Sequence, residues 1–548
     1  MHIRKKPPRP HALGEPILHE NHKRPVTRRE LLAAGLRSAP AVVMAPAWLA
    51  ALLQPGAARA QQINLDTDIN ALLAADQCNL SSGGHLIPFI CFDLAGGANL
   101  VGSEILVGVQ GGQANFLSTA GYGKLGVPGN MVPGSSGFVS NALGLLWHSD
   151  GAILRGILSK VSAATAAGTN GAVFPALSEN DTGINPHNPM YGIAAVGAKG
   201  QLLTLVGTEP TVSGGNSAAP PDLGGVMIDP SLQPSTMDRP SDATGLVSSG
   251  TTSADPLSVA VLESEVRISG GNQPYTAGSE TGFGGELTAP NGGTPGVQLY
   301  TSSDTSQATD DPRLKNQVRC SYVKAANNAA KYGNPSDLDP SQDPNIVGPI
   351  FNAAEFSDSD IAKTATVMKL VLNGFAGAGT ITLGGFDYHD NTRATGELRN
   401  FKAGQMIGAV LEYAQRIKTP VMIYVLSDGS LTSSSMVDTT PDGRNKLAWQ
   451  GDSSAVAATF FLVYNPGGRP QPLNGPASQQ IGYFSSDGSV VSTSSPGANS
   501  VVQLVEMVVL NYLSLHGSLV GSFSTTFPQQ GLGSPADQAA LTAFAPIA

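Results

Sequence analysis

The sequence predicts an α/β protein built on a mostly parallel sheet with helices on both faces, and three observations lead there. The stretch from His85 to Leu94 is a nearly continuous apolar run that closes on Ala95-Gly96-Gly97, the pattern of a strand buried on both sides and ended by a glycine turn. Between Gly379 and Leu426 the chain reads strand, amphipathic helix, strand with short links, which is a βαβ unit and so implies parallel neighbours. With 548 residues, 41% of them apolar, there is ample material for a core.

Taken in order, Asp93 falls near the carboxyl end of the first strand. Residues 100–200 alternate glycine-rich turns with apolar segments, and 179–192 form a polar loop around His187. Residues 208–312 carry thirteen acidic residues and two basic ones, Arg239 and Arg267, among repeated Gly, Pro, Ser and Thr, which reads as an insertion or cap. A polar helix is expected over 313–331. Asp337, Asp339 and Asp343 hint at calcium, but without the glycine and closing glutamate of an EF-hand loop they read as a solvated turn. Ser357 with Asp360 resembles a capping box ahead of an apolar helix face that Gly374 ends. A strand over 379–384 leads to Gly385-Phe-Asp-Tyr-His389. Leu398, Phe401, Ile407, Val410, Leu411, Ala414 and Ile417 mark the next helix, and Val421–Leu426 the strand that ends at Ser427-Asp428-Gly429. A strand over 455–464 and a very apolar helix over 501–515 complete the pattern.

Charge divides the chain. Residues 1–60 hold ten basic and three acidic side chains, which leaves 21 basic and 38 acidic ones after Ala60 and a net charge of −17 there. A basic start, the pair Arg28-Arg29, an apolar run over 39–53 and Ala58-Arg59-Ala60 have the form of a twin-arginine signal peptide, too short in its apolar part for a bilayer span. The expectation is a periplasmic or secreted protein that uses the twin-arginine export machinery and keeps no stable membrane span after cleavage. Four segments follow: the leader over 1–60, a first part of the α/β core over 61–207, an acidic insertion or cap over 208–350, and a second part of the core over 351–548. A surface so acidic, with no cluster of Lys and Arg after Ala60, excludes a nucleic-acid partner. Three cysteines, Cys78, Cys91 and Cys320, allow one disulfide, with Cys78 and Cys91 nearest in sequence, or a free buried thiol.

Ligands of an open parallel sheet bind beyond the carboxyl ends of its strands. Asp93, Asp387 and Asp428 are expected there; His389 stands two residues after Asp387, and Asp452 could join them. With His187 they make a six-residue candidate set for a divalent cation such as Zn, Mn, Mg or Ca. The other reading of each is structural: Asp428 as a turn former, Asp387 and His389 bonded to each other, His187 shaping its loop. No Gly-x-Ser-x-Gly, His-Glu-x-x-His, Walker loop or dinucleotide fingerprint stands out.

At these residues the chain resembles a known family. The twin-arginine leader, the strand ending Phe92-Asp-Leu-Ala-Gly-Gly-Ala-Asn99, the loop around His187, Gly385-Phe-Asp-Tyr-His389, Leu426-Ser-Asp-Gly429 and Gly451-Asp452 before Phe460-Phe461 look like the exported bacterial family called domain of unknown function 1501. That family is similar in fold to the alkaline phosphatase and sulfatase superfamily. The resemblance implies that Asp387 and His389 are its Asp-x-His, that Asp452 is the acid of its Gly-x-Asp-His-Gly signature, and that Asp181-Thr182-Gly183 stands at a nucleophile turn, with Thr182 as the attacking hydroxyl. Ser453 replaces the signature histidine, Ser427-Asp428 replaces a Ser-Glu-Phe-Gly-Arg-Thr pattern, and Leu100 closes a turn where the family often has an acid. Two functions therefore stand side by side: a metal-dependent hydrolase of phosphate or sulfate esters, and a non-catalytic binding or assembly protein with a degenerate metal site.

Overall fold

A computed structural model describes residues 86–134, 137–179, 187–208, 223–225, 234–248, 335–389 and 392–548. The leader, Cys78, Cys320, Thr182, the helix expected over 313–331 and most of 208–334 lie outside the described residues.

Nine strands matter to the architecture: β1 (Phe89–Leu94), β2 (Thr169–Pro175), β3 (Leu203–Gly207), β4 (Ser235–Thr236), β5 (Ala376–Leu383), β6 (Val421–Ser427), β7 (Leu431–Asp438), β8 (Lys446–Asp452) and β9 (Ala458–Tyr464). Seven of them form one mixed sheet in the order β2-β9-β6-β1-β5-β3-β4. β1 lies at its middle, parallel to both β5 and β6, and β9 alone runs against its neighbours. Every residue of β1 is buried. Because side chains alternate along a strand, Ile90, Phe92 and Leu94 enter one core while Phe89 and Cys91 enter the other. Cys91 is a free, buried thiol.

Helices cover both faces. On the first lie α1 (Ala152–Leu158), α3 (Ser359–Leu372) and α4 (Ala394–Arg416); on the second lie α2 (Met190–Ala195) and α5 (Val501–Ser514). α5 buries ten consecutive residues from Leu504 to Leu513, eight of them apolar with Glu506 and Asn511 between them, as a helix apolar on most of its circumference requires. Among the described residues no helix is long and apolar enough to cross a membrane.

Several local expectations change. The N-cap of α3 is Asp358, whose carboxylate accepts from Asp360 N and Ile361 N; Ser357 ends a preceding 3-10 turn and donates its hydroxyl to Ala354 O. β5 begins at Ala376 rather than Gly379. Ala376-Gly-Ala-Gly carries no β-branched side chain, yet the small residues are what the packing needs. A Cβ on Gly379 would lie 2.6 Å from Val367 Cγ1 of α3. The ribbon of β7 and β8 is absent from the periodicity, since Leu-Thr-Ser-Ser-Ser-Met-Val-Asp looks like loop, and Asp452 ends this ribbon. Finally, the described ends of the 208–350 segment belong to the core. β4 extends the sheet, Leu338, Ile346 and Ile350 are buried in the core, and Asp343 holds Lys369 Nζ and Tyr413 Oη at 2.7 Å each.

Candidate metal centre

The carboxyl ends of β1, β5 and β6 meet at a rim of turns. After β1 the chain bends at Gly96, where φ is +122°, and a Cβ there would lie 2.5 Å from Asp387 N. Glycine is needed so that the loop after β5 can lie on the turn after β1. Phe386 N donates to Ala95 O across this contact at 3.1 Å. From β6, Ser427 Oγ accepts from Ala98 N and donates to Leu94 O, and Asp428 Oδ1 accepts from Gly96 N. Asp428 therefore holds the backbone of the turn.

On this rim the chain from Phe386 to His389 turns alternate side chains in opposite directions. Tyr388 is buried, 1% exposed. Asp387 and His389, on either side of it, face solvent and meet: His389 Nε2 lies 2.6 Å from Asp387 Oδ1, with side chains 45% and 64% exposed. Asp452 arrives from the end of β8, its position set by pairing with Leu431 and by Ser453 N donating to Ser430 O at 2.9 Å. Ligand atoms of Asp387, His389 and Asp452 all lie within 4.8 Å of one another. Two oxygens each about 2.4 Å from one calcium-sized ion can be at most about 4.8 Å apart, so this spread fits a shared cation.

The six candidate residues thus separate. Asp387, His389 and Asp452 come together; Asp93, His187 and Asp428 do not contribute to that exposed group. Asp93 is fully buried in β1, in register with Thr382 and Leu426. His187 is buried just before α2, beside Asn188, which donates to Thr380 Oγ1 and accepts from Met190 N.

Beneath the rim is a buried charge network that the sequence analysis missed. Glu397 of α4 accepts from Arg393 Nη2 at 2.8 Å, Lys446 Nζ at 2.7 Å and Arg155 Nη2 at 2.6 Å. Burial pushes the Glu397 carboxyl up, but Arg393 and Lys446 outweigh it and hold it below its ordinary range. Glu104, fully buried nearby, goes the other way: burial and the Glu397 charge raise its pKa, although Asn400 Nδ2 and Ile153 N donate to it at 3.0 and 2.8 Å. Arg393 also lies 4.4 Å from the Trp449 ring centroid. Only the i, i+4 spacing of Arg393 and Glu397 was visible beforehand; Glu104, Arg155 and Lys446 are remote in sequence.

No protein-family model, no curated protein and no solved structure matches the chain.

Proposed function

We propose that this chain is an exported protein of the alkaline phosphatase and sulfatase kind in which Asp387, His389 and Asp452 hold a divalent cation (Zn, Mn, Mg or Ca), and that it hydrolyses a phosphate or sulfate ester. The observation that carries the reading is the convergence of those three donors, within 4.8 Å, beyond the carboxyl ends of parallel strands. Two carboxylates and an imidazole suit such an ion, and exposure leaves coordination positions for a substrate oxygen. A cation there would supply Lewis-acid polarisation of the ester and activation of a nucleophile. The chain's own residues prepare the site. His389 Nε2 must give up its hydrogen bond to Asp387 for that nitrogen to become a ligand. Thr182, by its resemblance to a nucleophile turn, is the proposed attacking hydroxyl. The export leader and the resemblance to the domain of unknown function 1501 family support the same reading.

The test is turnover of aryl phosphates and aryl sulfates by the mature protein with added Zn²⁺, Mn²⁺ or Ca²⁺, expected in wild type and lost in Asp387→Ala. A second reading has its own observation: all three donors are exposed and Ser453 stands where a fourth, histidine ligand belongs. A binding or assembly protein with a degenerate site would bind the cation without turning over either ester, and would keep its partner in Asp387→Ala.

A further inference from the structure

We propose that Tyr388 is the positioning residue of the cation site, holding Asp387 and His389 in their shared orientation through a buried hydrogen-bond chain that ends on Glu104. The inference rests on the cation-binding reading and adds how the site is kept ready. Tyr388 is the residue between the two donors, and its side chain points inward while theirs point out. Its hydroxyl donates to Asn400 Oδ1 at 3.1 Å and accepts from Asn99 N at 3.2 Å. Asn400 Nδ2 in turn donates to Glu104 Oε1 at 3.0 Å. One phenol therefore fastens the donor loop to α4 and to the turn after β1.

The ring is fitted as closely as the hydroxyl. It lies 6.3 Å, centroid to centroid, from Trp449, and a Cβ on Gly396 of α4 would stand 2.9 Å from its Cε2 atom. An exposed pair of donors has few contacts of its own to fix it. A backbone shift at Tyr388 would move both donors, because the three residues are consecutive. Groups hydrogen-bonded directly to metal ligands typically change affinity by about 10–100-fold when removed, and Tyr388, which acts on both donors through the backbone, is expected at the low end of that range.

The experiment compares Mn²⁺ affinity, by titration calorimetry or electron paramagnetic resonance, in the mature wild type, Tyr388→Phe and Tyr122→Phe. Tyr122 is the control: it is equally buried, its hydroxyl donates to Val107 O at 2.7 Å, and it lies on another element. Tyr388→Phe loses the bonds to Asn400 and from Asn99, and Tyr122→Phe loses the bond to Val107, so both variants remove buried hydroxyl hydrogen bonds. Tyr388→Phe is expected to weaken Mn²⁺ about tenfold, with Tyr122→Phe at the wild-type value. Equal affinity in wild type and Tyr388→Phe, or the same loss in both variants, overturns the role given to Tyr388 and leaves the cation site standing. Absence of Mn²⁺, Zn²⁺ and Ca²⁺ binding in wild type overturns the site itself. Should Tyr388→Phe fail to fold, Asn400→Ala keeps the ring and removes the acceptor of its hydroxyl, and the same weakening is expected.

Discussion

His148 makes the stability of this protein depend on acid in a way that can be worked out from its contacts. The ring is fully buried and stacks on Phe138, with centroids 5.5 Å apart. Nε2 faces the carbonyl of Met131 at 3.0 Å, and Asp150 N donates to Nδ1 at 3.2 Å. The first contact needs a proton on Nε2 and the second needs a lone pair on Nδ1, so the neutral tautomer is the one that satisfies both. Burial, then the Lys446 cation and, more weakly, Arg393 disfavour the imidazolium against the pull of Met131 O and Asp150; the pKa falls from 6.5 to about 4. The unfolded chain therefore binds the proton first. Stability from this residue is complete above pH about 6.5, drains away as the pH falls toward 4, and changes no further below it. At about 1.4 kcal/mol per unit, the loss comes to roughly 3 kcal/mol. His148→Gln supplies an assay, since an amide can occupy both contacts without titrating in this range. Denaturant unfolding of the protein, followed by tryptophan fluorescence at pH 7, 6, 5 and 4, should show wild type losing about 3 kcal/mol more than the variant across that span. Parallel curves for the two proteins would refute the assignment of a neutral, buried imidazole.

The remaining predictions concern the ground under the candidate cation site. Glu397→Gln removes the shared partner of Arg393, Lys446 and Arg155 and should cost about 3–5 kcal/mol in unfolding free energy, because it strands buried cations around a neutral amide. Gly396→Ala places a methyl 2.9 Å from the Tyr388 ring and should cost about 1–3 kcal/mol by overpacking, seen as a lower thermal midpoint, together with weaker Mn²⁺ binding.

The sheet was legible where its chemistry is local. β1, β6 and β9 are runs of large apolar residues, and α5 is too apolar to lie anywhere but inside. β5 was half legible because close packing against α3 selects glycine and alanine, which carry no strand signal. The ribbon of β7 and β8 was hidden for the opposite reason: its middle residues are polar and partly exposed, so no periodicity marks it. At the site, Asp387 and His389 declared themselves by spacing. Asp452 was set beside them because it precedes a strand, while its actual carrier, the end of a ribbon, needed the fold. Buried Glu104 and Lys446 could not be read from sequence at all, because what makes a charged residue tolerable in a core is a partner remote in the chain: Asn400 lies 296 positions from Glu104 and Glu397 lies 49 from Lys446.

Elemental analysis of the folded protein tests the central claim most directly, paired with the same measurement on a triple variant carrying Asp387→Asn, His389→Ala and Asp452→Asn. About one equivalent of a divalent cation in wild type, from these three donors sharing one ion, and none in the triple variant is the predicted result. A wild type that takes up no stoichiometric Zn, Mn, Mg or Ca, or a triple variant that retains it, would contradict the account.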